Sequence, residues 1–205
     1  MKKIYLLVFL SLLSASLFSQ RNDESKFKGG IRVGLTASQI SGDDLAGFNK
    51  LGAHAGGFVH FPISQNRKWK FQMELDFTMK GSTTPPRRGE NINMFYYTLN
   101  LFYAEVPFLV KYNIIKGFEI EAGPTVGLLF ANTEKGLDGN IRRPPFRLFE
   151  LSALIGVNYL FRDHWGVSIR YSNSIIPVRI PTWVYNRVVS KQYNSLLSFS
   201  LYYQF

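Results

Sequence analysis

The sequence predicts an all-β chain: an eight-stranded antiparallel up-and-down transmembrane β-barrel. Three observations carry this. First, the stretch FQMELDFTMK alternates apolar Phe71, Met73, Leu75, Phe77 and Met79 with polar Gln72, Glu74, Asp76, Thr78 and Lys80. That is the period of a strand with one greasy and one wet face, and its length suits a tilted strand crossing hydrocarbon better than a soluble domain. Second, the connections between such segments alternate strictly between short and long. Third, aromatic residues collect at the strand ends beside the short connections.

The N-terminus reads as a leader. Lys2 and Lys3 precede the apolar run Ile4 to Leu13, and the small residues Ser14, Ala15, Ser16 and Ser19 follow. The run is too short to favour a spanning helix, so residues 1–19 are expected to be a cleaved signal peptide. An uncleaved anchor is the other reading. Residues 20–28 then form a short segment and 29–205 the barrel. After the leader no stretch approaches the apolar length of a transmembrane helix. The chain has no cysteine, which excludes disulfides, thiolate metal sites and lipid attachment at a leader cysteine. Net charge is +10, and +8 once Lys2 and Lys3 leave with the leader. For an exported chain this points to acidic lipid headgroups and sugar phosphates rather than to nucleic acid.

Strand one is Gly30–Thr36, with Ile31, Val33 and Leu35 against Arg32, Gly34 and Thr36. Strand two is Leu51–Phe61, with Ala53, Ala55, Gly57, Val59 and Phe61 on one face. Strand three is Trp69–Lys80. Strand four is Tyr97–Tyr112, where Leu99, Leu101 and Tyr103 give way to Val106, Phe108, Val110 and Tyr112. That change of parity predicts a β-bulge at Glu105–Pro107, a place where a strand tolerates proline. Strand five is Phe118–Ala131, with Ile120, Ala122, Val126, Leu128 and Phe130 outward. Strand six is Leu148–Phe161, strand seven Trp165–Ser172 and strand eight Asn194–Phe205, each alternating in the same way.

The short connections are Pro62–Lys68, Asn113–Gly117 and Arg162–His164. The long ones are Ala37–Lys50, Gly81–Tyr96, Asn132–Arg147 and Asn173–Tyr193. In an up-and-down barrel all short turns then lie at one end, the periplasmic end, and all long loops at the extracellular end. Phe61, Trp69, Tyr112, Phe118, Phe161, Trp165 and Phe205 would share one level, as an interfacial girdle does. The last strand, LSFSLYYQF, ends on an aromatic residue. It resembles the C-terminal signal read by the barrel-assembly machinery. A soluble lipocalin-like ligand carrier has the same period with the opposite sidedness. The girdle, the charge on the inner face and the terminal phenylalanine favour lipid outside, hence the bacterial outer membrane.

At Tyr103–Asn113, YAEVPFLVKYN, and Glu121–Leu128, EAGPTVGL, the chain resembles the PorT-like outer-membrane β-barrel family of Bacteroidetes-type bacteria. The resemblance runs from about Lys28 to Phe205. It implies an eight-stranded outer-membrane barrel, and for the namesake a part in secretion and maturation of exported proteins.

The predicted inner face gathers Arg32, Lys70, Glu74, Asp76, Glu119, Glu121, Glu150 and Arg170. An eight-stranded interior is just wide enough for side chains, and buried charges must be paired. These residues are therefore expected to form a lumen charge network that plugs the barrel, with an ion or proton path as the competing reading. His54 and His60 also face inward, and His164 lies in a short turn. No spacing marks a catalytic triad, so the histidines are read as structural. No metal motif, phosphate loop or cofactor signature appears. The glycines of GAHAGG are read as making room for neighbouring side chains in the lumen.

The long loops carry TPPRRGE and RRPPFR, with Arg179, Arg187 and Lys191 in the last loop. Arg87, Arg88, Arg142, Arg143 and Arg147 are candidates to grip lipopolysaccharide phosphates, because a guanidinium fork matches that anion. Solvated loop tips are the plainer reading. The sequence thus predicts a non-enzymatic barrel in contact with outer-membrane lipid and lipopolysaccharide, acting in surface interaction, envelope integrity or as a secretion accessory with envelope or secretion proteins as partners. An outer-membrane lipid-modifying enzyme, an acyl hydrolase or transferase, is the alternative from another class.

Overall fold

The computed structural model describes residues 27–42, 47–84, 97–136, 139–140, 145–179, 183–184, 187–188 and 191–205. Eight strands form the wall: β1 Lys28–Ser41, β2 Lys50–Pro62, β3 Trp69–Thr83, β4 Thr98–Ile115, β5 Phe118–Gly136, β6 Phe149–Leu160, β7 Trp165–Ser174 and β8 Tyr193–Gln204. Each pairs antiparallel with its neighbours in sequence, and β1 closes the cylinder against β8 in a register running from Gly30↔Gln204 to Ser41↔Tyr193. Closure matters because an unpaired strand edge in hydrocarbon leaves a row of unsatisfied amides, each costing several kcal/mol. Among the described residues no helix is long and apolar enough to cross a membrane; strands make the crossing.

Sidedness follows the alternation. Ile31, Val33 and Leu35 of β1, Leu75 and Phe77 of β3, Ile155 of β6 and Phe199 of β8 are exposed on the outer wall. The residues between them are buried and polar: Arg32, Gln72, Glu74, Asp76, Thr78, Ser168, Arg170, Ser198 and Ser200. A lipocalin-type interior is the reverse of this, so the soluble reading is excluded. The rings beside the short turns pack on one another. Trp69 lies 4.7 Å from Tyr112, Trp165 5.0 Å from Tyr203, and Phe61 5.5 Å from Phe71, centroid to centroid.

Two sequence expectations are corrected. The strands run further than expected at the extracellular end, β3 to Thr83 and β5 to Gly136, because the ladder continues past the apolar stretch that marks the membrane. And β4 has no change of parity at Glu105–Pro107. Its buried positions run unbroken through Leu99, Leu101, Tyr103, Glu105, Pro107, Leu109 and Lys111, and its β3 register is continuous on either side of that point. The register shifts lie instead toward β5, at Phe102/Tyr103 and Asn113/Ile115. Leu99, Leu101 and Tyr103 therefore point into the barrel, not to lipid. They meet Ile40, Leu129, Phe146 and Val178 in an apolar layer across the extracellular mouth.

Gly123, in the EAGP stretch, explains how β5 approaches β4. The paired positions step from Pro107↔Thr125 to Val110↔Ala122, and neither Pro107 nor Pro124 has an amide hydrogen to donate. A Cβ on Gly123 would lie 1.9 Å from the Phe108 carbonyl oxygen and 3.1 Å from Leu109 Cα. These are backbone atoms and have little room to move. Gly123→Ala is expected to cost about 1–3 kcal/mol, read as a lower urea midpoint of the heat-modifiable gel band. Gly57→Ala is the control. Its Cβ would find its nearest neighbour at 3.6 Å, and the midpoint should stay put.

Candidate functional site

The lumen is built from side chains that alternate strands deliver at matching heights. Near the periplasmic half, β1, β3, β5 and β7 bring Arg32, Glu74, Glu121 and Arg170 together. Arg32 Nη1 donates to Glu74 Oε2 at 2.7 Å and Nη2 to Ser168 Oγ at 2.8 Å. Arg170 grips the same Glu74 with Nη1 to Oε2 and Nη2 to Oε1, both 2.7 Å. Its other edge holds Glu121, through Nε to Oε1 and Nη2 to Oε2, the latter at 3.0 Å. Gln72 also donates to Glu74. Lys111 Nζ lies 3.2 Å from Glu121 and 3.8 Å from Glu119, which Lys70 also pairs. One chain of charge thus runs across the barrel from β1 to β5.

Nearer the extracellular mouth a second cluster forms. Lys80 Nζ lies 2.6 Å from Glu105 and 2.8 Å from Glu150, and 5.0 Å above the Tyr103 ring. Glu150 also accepts from Ser152 Oγ at 2.6 Å and Asn194 Nδ2 at 2.6 Å. Charges out of water lose several kcal/mol each in hydration, which only close pairing with further hydrogen bonds offsets. This arrangement provides both.

Every residue of the expected lumen set is inside. Arg32, Glu74, Asp76, Glu121, Glu150 and Arg170 are no more than 4% exposed, and Glu119 is half-buried against Lys70. Asp76 stands apart: its Oδ1 makes no hydrogen bond, and it lies against Gly56, where a Cβ would come within 1.9 Å of that oxygen. Glycine at 56 is what gives the carboxylate its place. Asp76 lines a mid-height cavity with His54, Thr78, Glu105, Thr125 and Arg170 that has about 20 Å³ of room for a water centre, space for about one water.

Three charged partners escaped the sequence reading. Glu105 and Lys111 sit on β4 at inward parity; Glu105 was hidden by the bulge expectation, whereas Lys111, between outward Val110 and Tyr112, had inward parity all along and was not gathered into the set. Glu134, at the far end of β5, holds Arg179 Nη2 at 2.7 Å and Tyr97 OH at 2.8 Å. Arg179 itself is a correction: it is 2% exposed, with its guanidinium 3.8 Å from the Phe146 ring centroid, not a surface-loop cation. The segment around it is drawn into the mouth by Arg147 N–H to Val178 O and Val178 N–H to Gln192 O, each 2.8 Å.

The other loop candidates divide. Arg147 and Lys191 are exposed. Arg87, Arg88, Arg142 and Arg143 lie outside the described residues, as does the side chain of Arg187. His54 Nε2 contacts Ser200 Oγ at 2.8 Å, the first half of a nucleophile–base pair. Both side chains are buried inside the barrel, and His54 borders the cavity that has space for about one water. His60 is likewise buried; His164 is an exposed turn residue whose Nδ1 meets the Gln204 carbonyl at 2.8 Å. Among the described residues no group of three or more His, Asp or Glu is placed to hold a metal ion.

Comparisons with known proteins agree with this architecture. Residues 18–179 match the family described as outer membrane protein beta-barrel domain. A comparison with curated protein sequences gave no match. Among solved structures, the chain is similar to Ail, the attachment invasion locus protein of Yersinia pestis, with a TM-score of 0.50 at 12% identity over 88% of this chain and 99% of that one. Ail in complex with the heparin analogue sucrose octasulfate gives 0.51 at the same identity and coverage. Neisserial surface protein A (NspA) gives 0.50 at 14% identity, covering 88% of this chain and 98% of that one. At these identities the likeness is one of fold. A closed eight-stranded cylinder with lipid-facing apolar residues and a family match over most of the chain place the protein in the bacterial outer membrane, as a member of the outer membrane protein beta-barrel domain family.

Proposed function

We propose that this protein is a non-enzymatic, non-conducting barrel that holds basic extracellular loops over the membrane to bind polyanions of the cell envelope, lipopolysaccharide phosphates first among them. The observation that carries this reading is the filled lumen. With two ion-pair clusters and an apolar layer stacked along its axis, the interior formed by the described residues leaves only a cavity with space for about one water, so the working surfaces are the loops and the outer wall. The loop sequences supply the chemistry. Arg87, Arg88, Arg142 and Arg143 each stand close to a proline pair in the sequence, and Arg147 is exposed. Guanidinium forks suit phosphate and sulfate oxygens alike, and the similar fold of Ail has been seen with a sulfated sugar.

A PorT-like secretion role has less support. The residues that resemble that family, the EVP and AGP stretches, are used by the wall: Glu105 binds Lys80, and Gly123 lets β5 approach β4. Such motifs mark a barrel and say nothing of a partner.

The test is the variant with Arg87, Arg88, Arg142 and Arg143 all changed to Gln, with and without Arg147→Gln, in the refolded full chain. Surface cations near an anionic layer contribute about 1 kcal/mol each. Lipopolysaccharide binding should weaken by at least about tenfold, and wild-type binding should fall steeply with salt. Unchanged affinity, or binding insensitive to salt, would overturn the reading.

A further inference from the structure

The periplasmic rim carries a second basic surface, separate from the extracellular loops. The β2–β3 turn, residues 63–68, and the β4–β5 turn, residues 116–117, are neighbours on the barrel. They are tied by Asn113 N–H to Lys68 O at 2.8 Å. Arg67, Lys68 and Lys116 are exposed on them, and Lys28 stands beside them at the start of β1, paired with His60 of β2. Residues 62–68 and 113–117 contain no Asp or Glu. Between the cations stand Ile63, Ile114 and Ile115, 55%, 48% and 66% exposed.

The turns are held in shape. Arg67 N–H donates to Ser64 O at 2.9 Å, Lys68 N–H to Asn66 Oδ1 at 3.1 Å and Ser64 Oγ to Asn66 Oδ1 at 2.7 Å. Arg67 itself has φ 54, the left-handed region where glycine is the low-cost residue. An arginine in that place costs backbone energy, and such strain gathers where a side chain is needed for function.

We propose that these two turns form a binding face for anionic phospholipid headgroups of the periplasmic leaflet. Height identifies the occupant. Trp69 and Tyr112 pack against each other on the membrane side of both turns, and such rings sit at headgroup level. The cations and isoleucines of the turns stand just beyond them, so the cations are within reach of phosphodiester oxygens and the isoleucines pack among the headgroups instead of facing open water. A compact acidic protein would match the charge but not the three isoleucines at that depth. The proposal rests on the outer-membrane placement alone and is independent of the loop reading above.

The test uses the folded full chain in detergent with equimolar phosphatidylglycerol and phosphatidylcholine of identical acyl chains, counting retained lipids by native mass spectrometry. The wild type should retain phosphatidylglycerol about tenfold over phosphatidylcholine. Arg67→Gly should lower that preference about fivefold, the effect of one interfacial cation, while the urea midpoint holds or rises because the left-handed position is relieved. Arg67→Gly combined with Lys68→Gln and Lys116→Gln should abolish it. Ile114→Ser with Ile115→Ser should weaken retention of both lipids alike. Equal retention of the two lipids by the wild type, or a preference untouched by Arg67→Gly and by the triple variant, overturns the proposal. So does displacement of the lipid by free glycerol 1-phosphate at the lipid's own affinity, which would assign the cations to a soluble phosphate.

Discussion

Glu74→Gln is expected to destabilise the barrel by about 3–5 kcal/mol, the cost of breaking a buried ion pair from one side. Glu74 joins two strands' cations that share no other hydrogen-bonded carboxylate among the described residues. Its Oε2 accepts from Arg32 Nη1 and Arg170 Nη1 at 2.7 Å each, and its Oε1 from Arg170 Nη2 at 2.7 Å. A glutamine keeps the shape, but it turns one acceptor into a donor facing a guanidinium and removes the charge that two cations share. Arg170 retains Glu121, whereas Arg32 keeps Ser168 as its one hydrogen-bond partner among the described residues, with Asp76 and Glu121 acting on it only through space. The urea midpoint of the gel-shifted folded band in lipid vesicles reads the loss. Adding Arg32→Met to Glu74→Gln should recover part of it, since the stranded cation is removed as well. A single variant within about 0.5 kcal/mol of wild type would mean that water reaches the lumen and solvates these groups, and the sealed-interior account would fail with it.

That expectation depends on side-chain directions that the sequence shows unevenly. Strand three is legible because its lipid face and lumen face differ in polarity at every position from Phe71 to Lys80, so period two settles both the element and the inward set. Strand four misleads for a physical reason. Its extracellular half fills the barrel mouth with Leu99, Leu101 and Tyr103, all at most 1% exposed, so apolar residues point inward there and outward further down. An apolar side chain does not reveal whether it is buried by lipid or by its own barrel. The strand ends beyond the membrane were illegible in the same way: at Asn132, Thr133, Glu134 and Lys135 of β5 the polarity contrast is gone while the ladder continues. Arg179 reads as a loop cation because its partner Glu134 is 45 residues away and nothing local marks the Phe146 ring that it covers. Asp76, by contrast, is placed by parity alone, and the glycine opposite it, Gly56, is visible in the sequence as the small residue that a crowded lumen requires.

The complementary result comes from the other side of the same strand. Leu75→Arg is expected to cost about 2–4 kcal/mol, the value for a basic residue on the lipid face of a barrel at mid-depth. Leu75 lies near the middle of β3, one residue from Glu74, and is 52% exposed. On a water-soluble barrel a half-exposed leucine exchanged for arginine would be nearly neutral. In hydrocarbon the guanidinium must be dehydrated or must thin the bilayer around it. The penalty should therefore shrink toward zero in the series Leu75, Met73, Phe71, as the substituted position nears the Trp69–Tyr112 ring pair at the interface. Folding into vesicles and reading urea midpoints along that series measures depth directly. A flat series would say that this wall does not face a bilayer, whatever its pattern. A graded one fixes where the midplane crosses β3, and with it the height of Glu74, Asp76 and Arg170 inside: the charges that Glu74→Gln disturbs would then lie at the level where the surrounding medium offers least help to an unpaired ion.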